Sequence, residues 1–345
     1  LAFLFSQMIW DYSISPGSFK TLSFIIPSRT LSRMITIPGV DPIFMWAGFL
    51  ALVALFLFLD LGVFNRKQHE IGVKEALVWT GVWFGLAMLF NFFVYYEFGA
   101  EAGLNFLGGY LLEKSLSIDN IFVIFLIFMS FRVEKKYQHR ILFWGIIGAI
   151  VSRGLLIWLG TLLIEKFHWI FYVFGAFLIY SAIHMVRHKD EDFDPHDSWV
   201  VKTIHRFVTI VREHKKGNFI VHKGGKISVT ILFVALVMVE FTDVVFAFDS
   251  IPAIFGITTD PFIVFTSNIF AILGLRSLYF VIAKVHDMFH FLVYGIAAIL
   301  AFIGVKMLLI DYVHMTTVVS LAVVFGVLLV SIGASFLFPA KAKKH

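Results

Sequence analysis

Val239-Glu240-Phe241-Thr242-Asp243-Val244-Val245-Phe246-Ala247-Phe248-Asp249-Ser250 places three carboxylates and two hydroxyls inside an apolar run that extends from about Ile227 to Gly256. Such a run is long enough to cross a bilayer, which takes about 20 apolar residues. A carboxylate at mid-membrane costs roughly 2.5–3.5 kcal/mol on insertion scales. Three in one segment require a compensating gain, and binding a cation supplies one. An earlier stretch repeats the pattern: Glu113-Lys114-Ser115-Leu116-Ser117-Ile118-Asp119-Asn120, inside the apolar run Leu107 to Phe131. Glu113 and Asp119 are six apart, as are Asp243 and Asp249, and each second acid is followed by a small polar residue, Asn120 or Ser250. The two stretches read as one motif used twice.

Composition sets the environment of that motif. The 345 residues are 59% hydrophobic and only 15% charged, where a soluble domain carries about 25% charged residues. The expected fold class is therefore all-α: a polytopic transmembrane helical bundle. The 42 Phe suit a lipid-facing surface better than one buried core. The absence of Cys excludes disulfides, zinc-thiolate sites and iron–sulfur clusters in these residues. A net charge of +5, carried mainly in loops, is a topology signal rather than a nucleic-acid signal.

Residues 1–40 contain no full span and read as an N-terminal extension; residues 41–340 read as one membrane transporter domain. Nine apolar runs predict nine spans: 45–64, 76–97, 107–131, 139–164, 168–187, 227–256, 261–284, 288–311 and 316–338. The first connection carries Arg66, Lys67 and Lys74, the third Arg132, Lys135 and Lys136, and the long fifth, 188–226, is basic. The second, sixth and eighth carry no Lys or Arg, and the tail ends in Lys341, Lys343 and Lys344. The positive-inside rule then places the N-terminus outside, the C-terminus and loop 188–226 in the cytoplasm. On this topology the two motif spans run in opposite directions. Spans three to five and six to eight form an inverted 3+3 repeat, an arrangement whose substrate site lies near mid-membrane.

Helical spacing constrains that site. Glu113, Ser117 and Asn120 fall on one helix face, and so do Glu240 and Asp243. Acids six apart on an unbroken helix diverge by about 120°. Either the helices unwind near Ser117 and Ala247, with Pro252 a plausible cause in the sixth span, or each acid faces a different neighbour. The candidate ligands are Glu113, Asp119, Asn120, Glu240, Asp243, Asp249 and Ser250. Asp60, in Leu59-Asp60-Leu61-Gly62, reads as an interfacial residue or a cytoplasmic gate. Lys114, Arg153 and Arg276 are the expected charge partners of the acids, and Lys306 either does the same or snorkels outward. The alternative for the acids is a purely structural pairing with these cations.

Carboxylate, amide and hydroxyl oxygens suit a hard cation: magnesium, calcium or manganese. His286 and His290 stand four apart, but Asp287 occupies the place of the Glu in a His-Glu-x-x-His zinc motif, so a plain interfacial pair is expected. His188 to His196 reads as a solvated loop, and Trp199 to Val211 as a short amphipathic helix.

These motifs resemble the TerC family. The likeness rests on Glu113 to Asn120, on Glu240 to Ala253, on Asp60-Leu61-Gly62-Val63-Phe64-Asn65-Arg66-Lys67 and on Gly274-Leu275-Arg276-Ser277-Leu278-Tyr279-Phe280, and covers roughly residues 45–338. The resemblance implies an inner-membrane protein related to the LysE-type transporter superfamily. It also implies a link to tellurium resistance and, through Alx-like members, to manganese export, with Glu113, Asp119, Glu240, Asp243 and Asp249 as the transport acids. The function expected is a non-enzymatic secondary transporter exporting a divalent cation, manganese first, with protons as counter-ion and no permanently bound cofactor. The alternative is a membrane scaffold in a stress or membrane-insertion complex. Tellurite is an anion that a carboxylate-rich site repels, so any resistance is expected to be indirect.

Overall fold

The structure, a computed structural model, describes residues 41–59, 72–187, 201, 203, 209–211, 218–223, 226–285, 291–313 and 315–337. Five helices precede a small sheet: α1 (Pro42–Leu59), α2 (Val73–Phe98), α3 (Ala100–Ser130), α4 (Lys135–Lys166) and α5 (Ile170–Arg187). Strands β1 (Thr209–Val211), β2 (Ile220–Lys223) and β3 (Lys226–Thr230) follow, then α6 (Ile231–Phe255), α7 (Pro261–Leu273), α8 (Leu275–Val285), α9 (Leu292–Leu308) and α10 (Thr317–Leu337).

Every apolar run in the sequence holds a helix, with corrections at particular boundaries. Residues 227–230 are strand rather than the start of a span, because β3 pairs antiparallel with β2 and parallel with β1 before running directly into α6. Lys223 stands opposite Lys226, and the Gly224-Gly225 between them is the two-residue hairpin signal that a reading of 188–226 as loop overlooks. Likewise Thr209–Val211 is strand β1, where the end of an amphipathic helix is expected. The run 261–284 is two helices bent by 44° at Gly274. Asp260 caps α7, its carboxylate accepting from the Ile263 amide at 2.9 Å, and Pro261 at the first position needs no partner for a missing N–H.

Six of these helices are long and apolar enough to cross a membrane, or seven when the bent α7–α8 pair counts as one span. That falls short of the nine expected. Charge and length give the reason: α3 carries Glu101, Glu113, Lys114 and Asp119, and α9 has 17 residues. The outer faces of the long helices are apolar, as lipid contact requires, with Leu89, Phe92, Leu329 and Val330 among the exposed side chains.

Packing places the two motif helices at the centre. α3 packs against α6, α4 against both α6 and α7, and α7 against α3. α5 packs along α9, where Gly175 and Gly304 let the backbones touch: a Cβ on Gly175 would lie 2.8 Å from the Gly304 carbonyl oxygen. α2 covers α3 and α8, and Trp46 and Phe49 of α1 reach the aromatic edge of α7 at Phe262 and Phe265. The chain turns from α2 into α3 at Gly99, whose φ of 91° favours glycine. The apolar interior forms two clusters, and Ile118 of α3 packs against both.

Candidate functional site

The centre of the site is a buried guanidinium. Arg153 sits midway along α4 and is 1% exposed. Its Nε donates to Asp243 Oδ2 at 3.1 Å and its Nη2 to Asp243 Oδ1 at 2.8 Å, the two-pronged geometry in which guanidinium fits carboxylate best. Its Nη1 donates to Glu113 Oε1, to Asn268 Oδ1 at 3.1 Å and to Ser250 Oγ at 3.4 Å. Glu113, 0% exposed, also accepts from Asn268 Nδ2 at 3.2 Å and from Ser117 Oγ at 3.4 Å. One guanidinium thus joins an acid from each motif helix. Two carboxylates against one guanidinium leave one net negative charge in a dry environment.

This arrangement follows from unbroken helices. α3 is continuous through Ser117 and α6 through Ala247, and Pro252 lies near the end of α6, where it ends few hydrogen bonds. Of the two alternatives, unwinding at those positions does not occur, and the two acids of each helix face different directions. Glu113 and Asp243 meet at Arg153. Asp249 faces α5 and accepts from Ser181 Oγ at 2.6 Å, with His184 one turn further along that helix close enough to interact with it. Glu240 shares a face with Asp243 and lies against Gly148 of α4, where a Cβ would overlap its carboxylate. Asp119 is half-buried; among the described residues neither it nor Glu240 has a hydrogen-bond or ion-pair partner. Asn120 is buried, with an Oδ1 that no donor meets. Ser250 touches Arg153, while its neighbour Asp249 points away from it.

The expected acids therefore do not gather into one cluster. Among the described residues, no three His, Asp or Glu side chains stand together as a ready metal cage. What the bundle offers is a shared two-acid site under Arg153, with Glu240 close enough to Asp243 to interact with it. A small cavity of about 20 Å³, room for one water-sized guest, opens beside it. Ile124, Gly145, Ala149 and Val239 line it, together with Asp243 and Arg276. The bend at Gly274 is what delivers Arg276 there, on the first turn of α8.

Lys114 differs from its expected role. Its Nζ donates to the Ala271 carbonyl at 3.0 Å and lies over the Tyr110 ring, so it caps the end of α7 at the break rather than pairing with a carboxylate. Lys306 donates to Ser320 Oγ at 2.9 Å and ties α9 to α10. Asp60, His286, Asp287, His290 and the loop His188 to His196 lie outside the described residues.

Asn268 is a member of the candidate site that the sequence pattern alone does not single out. It is 0% exposed and contacts both Arg153 and Glu113. Its signal was the run Thr266-Ser267-Asn268 within the apolar Phe262 to Leu273. Ser267 packs against Gly109 of α3, where a Cβ would come 2.5 Å from its hydroxyl, so the glycine is what allows α7 to approach Glu113.

The sequence model of the integral membrane protein TerC family matches residues 98–344. An "Uncharacterized membrane protein STKORF319" of Myxococcus xanthus is 46% identical over 304 residues, which cover 88% of this chain and 95% of that protein. A protein of Escherichia coli strain K12 named "Putative membrane-bound redox modulator Alx" is 45% identical over 300 residues, covering 83% of this chain and 92% of its own length. An "Uncharacterized membrane protein" of Rickettsia bellii is 40% identical over 290 residues, covering 84% and 96% respectively. No solved structure matches the chain.

Proposed function

This chain belongs to the TerC family of integral membrane proteins, and from that premise we propose that it is a secondary transporter exporting a divalent metal cation, manganese first, through the acidic site between α3 and α6. The observation that carries the reading is the convergence of Glu113 and Asp243, one from each motif helix, on a single buried cation. A bundle that already binds a guanidinium between these acids has the charge and the oxygen donors to bind a metal ion there. Glu240, one turn before Asp243 on the same face of α6, adds carboxylate oxygens close enough to interact with it.

The fuller architecture belongs to the same proposal. α3 and α9 cross the membrane as well, their charge or shortness tolerated because they line the site or pack under neighbours. The packing of α3 on α7 and of α6 on α4 is the reciprocal pattern that an inverted 3+3 repeat would produce. The N-terminus lies outside, and the ion leaves the cytoplasm of a bacterial inner membrane as the two repeats rock, with protons as the counter-ion.

The name redox modulator, borne by a relative, fits this reading by an indirect route. These 345 residues contain no Cys, so thiol exchange by this chain is out, whereas a change in the cell's pool of a redox-active metal alters redox balance. A second reading has its own support. Asp243 and Glu113 are already paired with Arg153, as in a structural tie that holds a scaffold together for partners in a stress or insertion complex.

Total cellular manganese after a manganese load separates the two readings. The host lacks its own exporters and expresses wild type, Asp119→Asn or Asp243→Asn at matched levels. The transporter reading expects wild type to lower manganese and both variants to fail. Equal lowering by all three would make the acids structural. No lowering by folded wild type, with calcium tried next, would leave the scaffold.

A further inference from the structure

Arg153 occupies the place a cargo ion would need. Four of its five hydrogen bonds reach Asp243, Glu113 and Asn268, and the fifth reaches Ser250. Both carboxylates are committed to it: Asp243 with two oxygens and Glu113 with one. A divalent cation that coordinates the same oxygens cannot share them with a guanidinium in contact with all three, because two cations would sit within van der Waals distance in a dry interior.

We infer that Arg153 is a tethered stand-in for the cargo: it binds Glu113 and Asp243 when the site is empty, and yields them when a divalent cation binds. The inference rests on the transporter reading above and adds an exchange step to it. The surroundings of Arg153 suit such a step. Nη1 already touches two neutral acceptors, Asn268 Oδ1 and Ser250 Oγ, so the guanidinium keeps hydrogen-bond partners after it releases the acids. Asn268 in turn donates to Glu113 Oε2, the oxygen that Arg153 leaves free, and holds that carboxylate in position through the exchange. Charge counts the same way. With Arg153 engaged, the two acids and the guanidinium sum to −1; with a divalent ion on the acids instead, the acids and ion sum to zero, and the guanidinium rests against dipoles. The acids are never left without a cation, which removes the penalty of two bare carboxylates in the return step of a transport cycle. Wild-type affinity is accordingly held below what the acids alone would give.

The test is Mn2+ binding to the full chain in nanodiscs, measured by equilibrium dialysis, beside Mn2+ flux in liposomes. Arg153→Ala is expected to bind Mn2+ at least about tenfold more tightly than wild type, a difference of about 1.4 kcal/mol, and to transport it poorly. Added guanidinium ion, which fits the space that the substitution opens, is expected to return the affinity toward the wild-type value by competition, and to leave wild type unchanged. Arg153→Lys keeps a charge but loses the two-pronged contact, so it should fold even where the Ala variant fails, and bind Mn2+ severalfold more tightly than wild type. Arg276→Gln controls for charge alone, since Arg276 lines the same cavity as Asp243. Unchanged or weaker binding in both Arg153 variants would overturn the inference while wild-type flux leaves the transporter reading standing. So would a gain that guanidinium does not reverse, or one that Arg276→Gln matches. If wild type neither binds nor moves a divalent cation, the transporter reading fails and this inference fails with it.

Discussion

Replacing Asn268 by Leu isolates the polar contact between α7 and the two motif helices, because the new side chain has nearly the same volume and no polar atom. Two hydrogen bonds disappear: Arg153 Nη1 to Asn268 Oδ1 at 3.1 Å and Asn268 Nδ2 to Glu113 Oε2 at 3.2 Å. Each joins an amide to a charged group, a class worth about 1.5–3 kcal/mol in folded proteins. Hydrogen bonds between membrane helices average only about 0.6 kcal/mol, with a maximum near 1.7, because helices separated in the membrane find other partners. The burial of this site decides between the two scales. Glu113 and Asn268 are both 0% exposed, so water cannot replace the lost donor. We expect a loss of about 2–4 kcal/mol, above twice the membrane average and below the upper charged-pair sum of about 6. The assay is reversible unfolding in mixed detergent and SDS micelles of wild type, Asn268→Leu, Glu113→Gln and the double variant. Glu113→Gln removes the charge that needs the donor, so the cycle should show a coupling of at least about 1 kcal/mol. A loss under about 0.5 kcal/mol, the range of an ordinary surface change, would overturn this expectation. Strict additivity of the two substitutions would refute it too.

Two further substitutions test the placement of the other acids and of the outer helix pair. Gly148→Ala puts a methyl group where the Glu240 carboxylate lies; Mn2+ efflux should fall several-fold while Gly81→Ala, which meets nothing within 4 Å, leaves it unchanged. Gly175→Ala drives a Cβ against the Gly304 backbone, which cannot move aside as a side chain can, so thermal unfolding in detergent should report a loss of about 1–3 kcal/mol.

Glu113, Asp243 and Arg153 were legible because a charge inside an apolar run has few explanations. Asn268 was harder to find, because a neutral amide in such a run more often bonds a neighbouring helix without further role. The hairpin from Ile220 to Thr230 was hidden because Ile227 to Thr230 are apolar or weakly polar and continue into α6 without a breaker, so strand and helix shared one hydropathy signal. Lys114 sits beside Glu113 in sequence, yet adjacent positions on a helix diverge, and it reaches the Ala271 carbonyl instead.

Sequence alone was enough to establish that this protein is a bundle of apolar helices, that an acidic motif occurs twice, and that its intramembrane acids are oxygen donors with no thiolate beside them. Composition and spacing suffice for these, since each follows from the cost of polar groups in lipid. Only the tertiary structure decided which acids meet. On a continuous helix Asp243 and Asp249 point about 120° apart, so one turned to Arg153 and the other to Ser181 once α4 and α5 packed against different faces of α6. Which neighbour fills each face is a matter of long-range packing, and no local pattern in the chain encodes it.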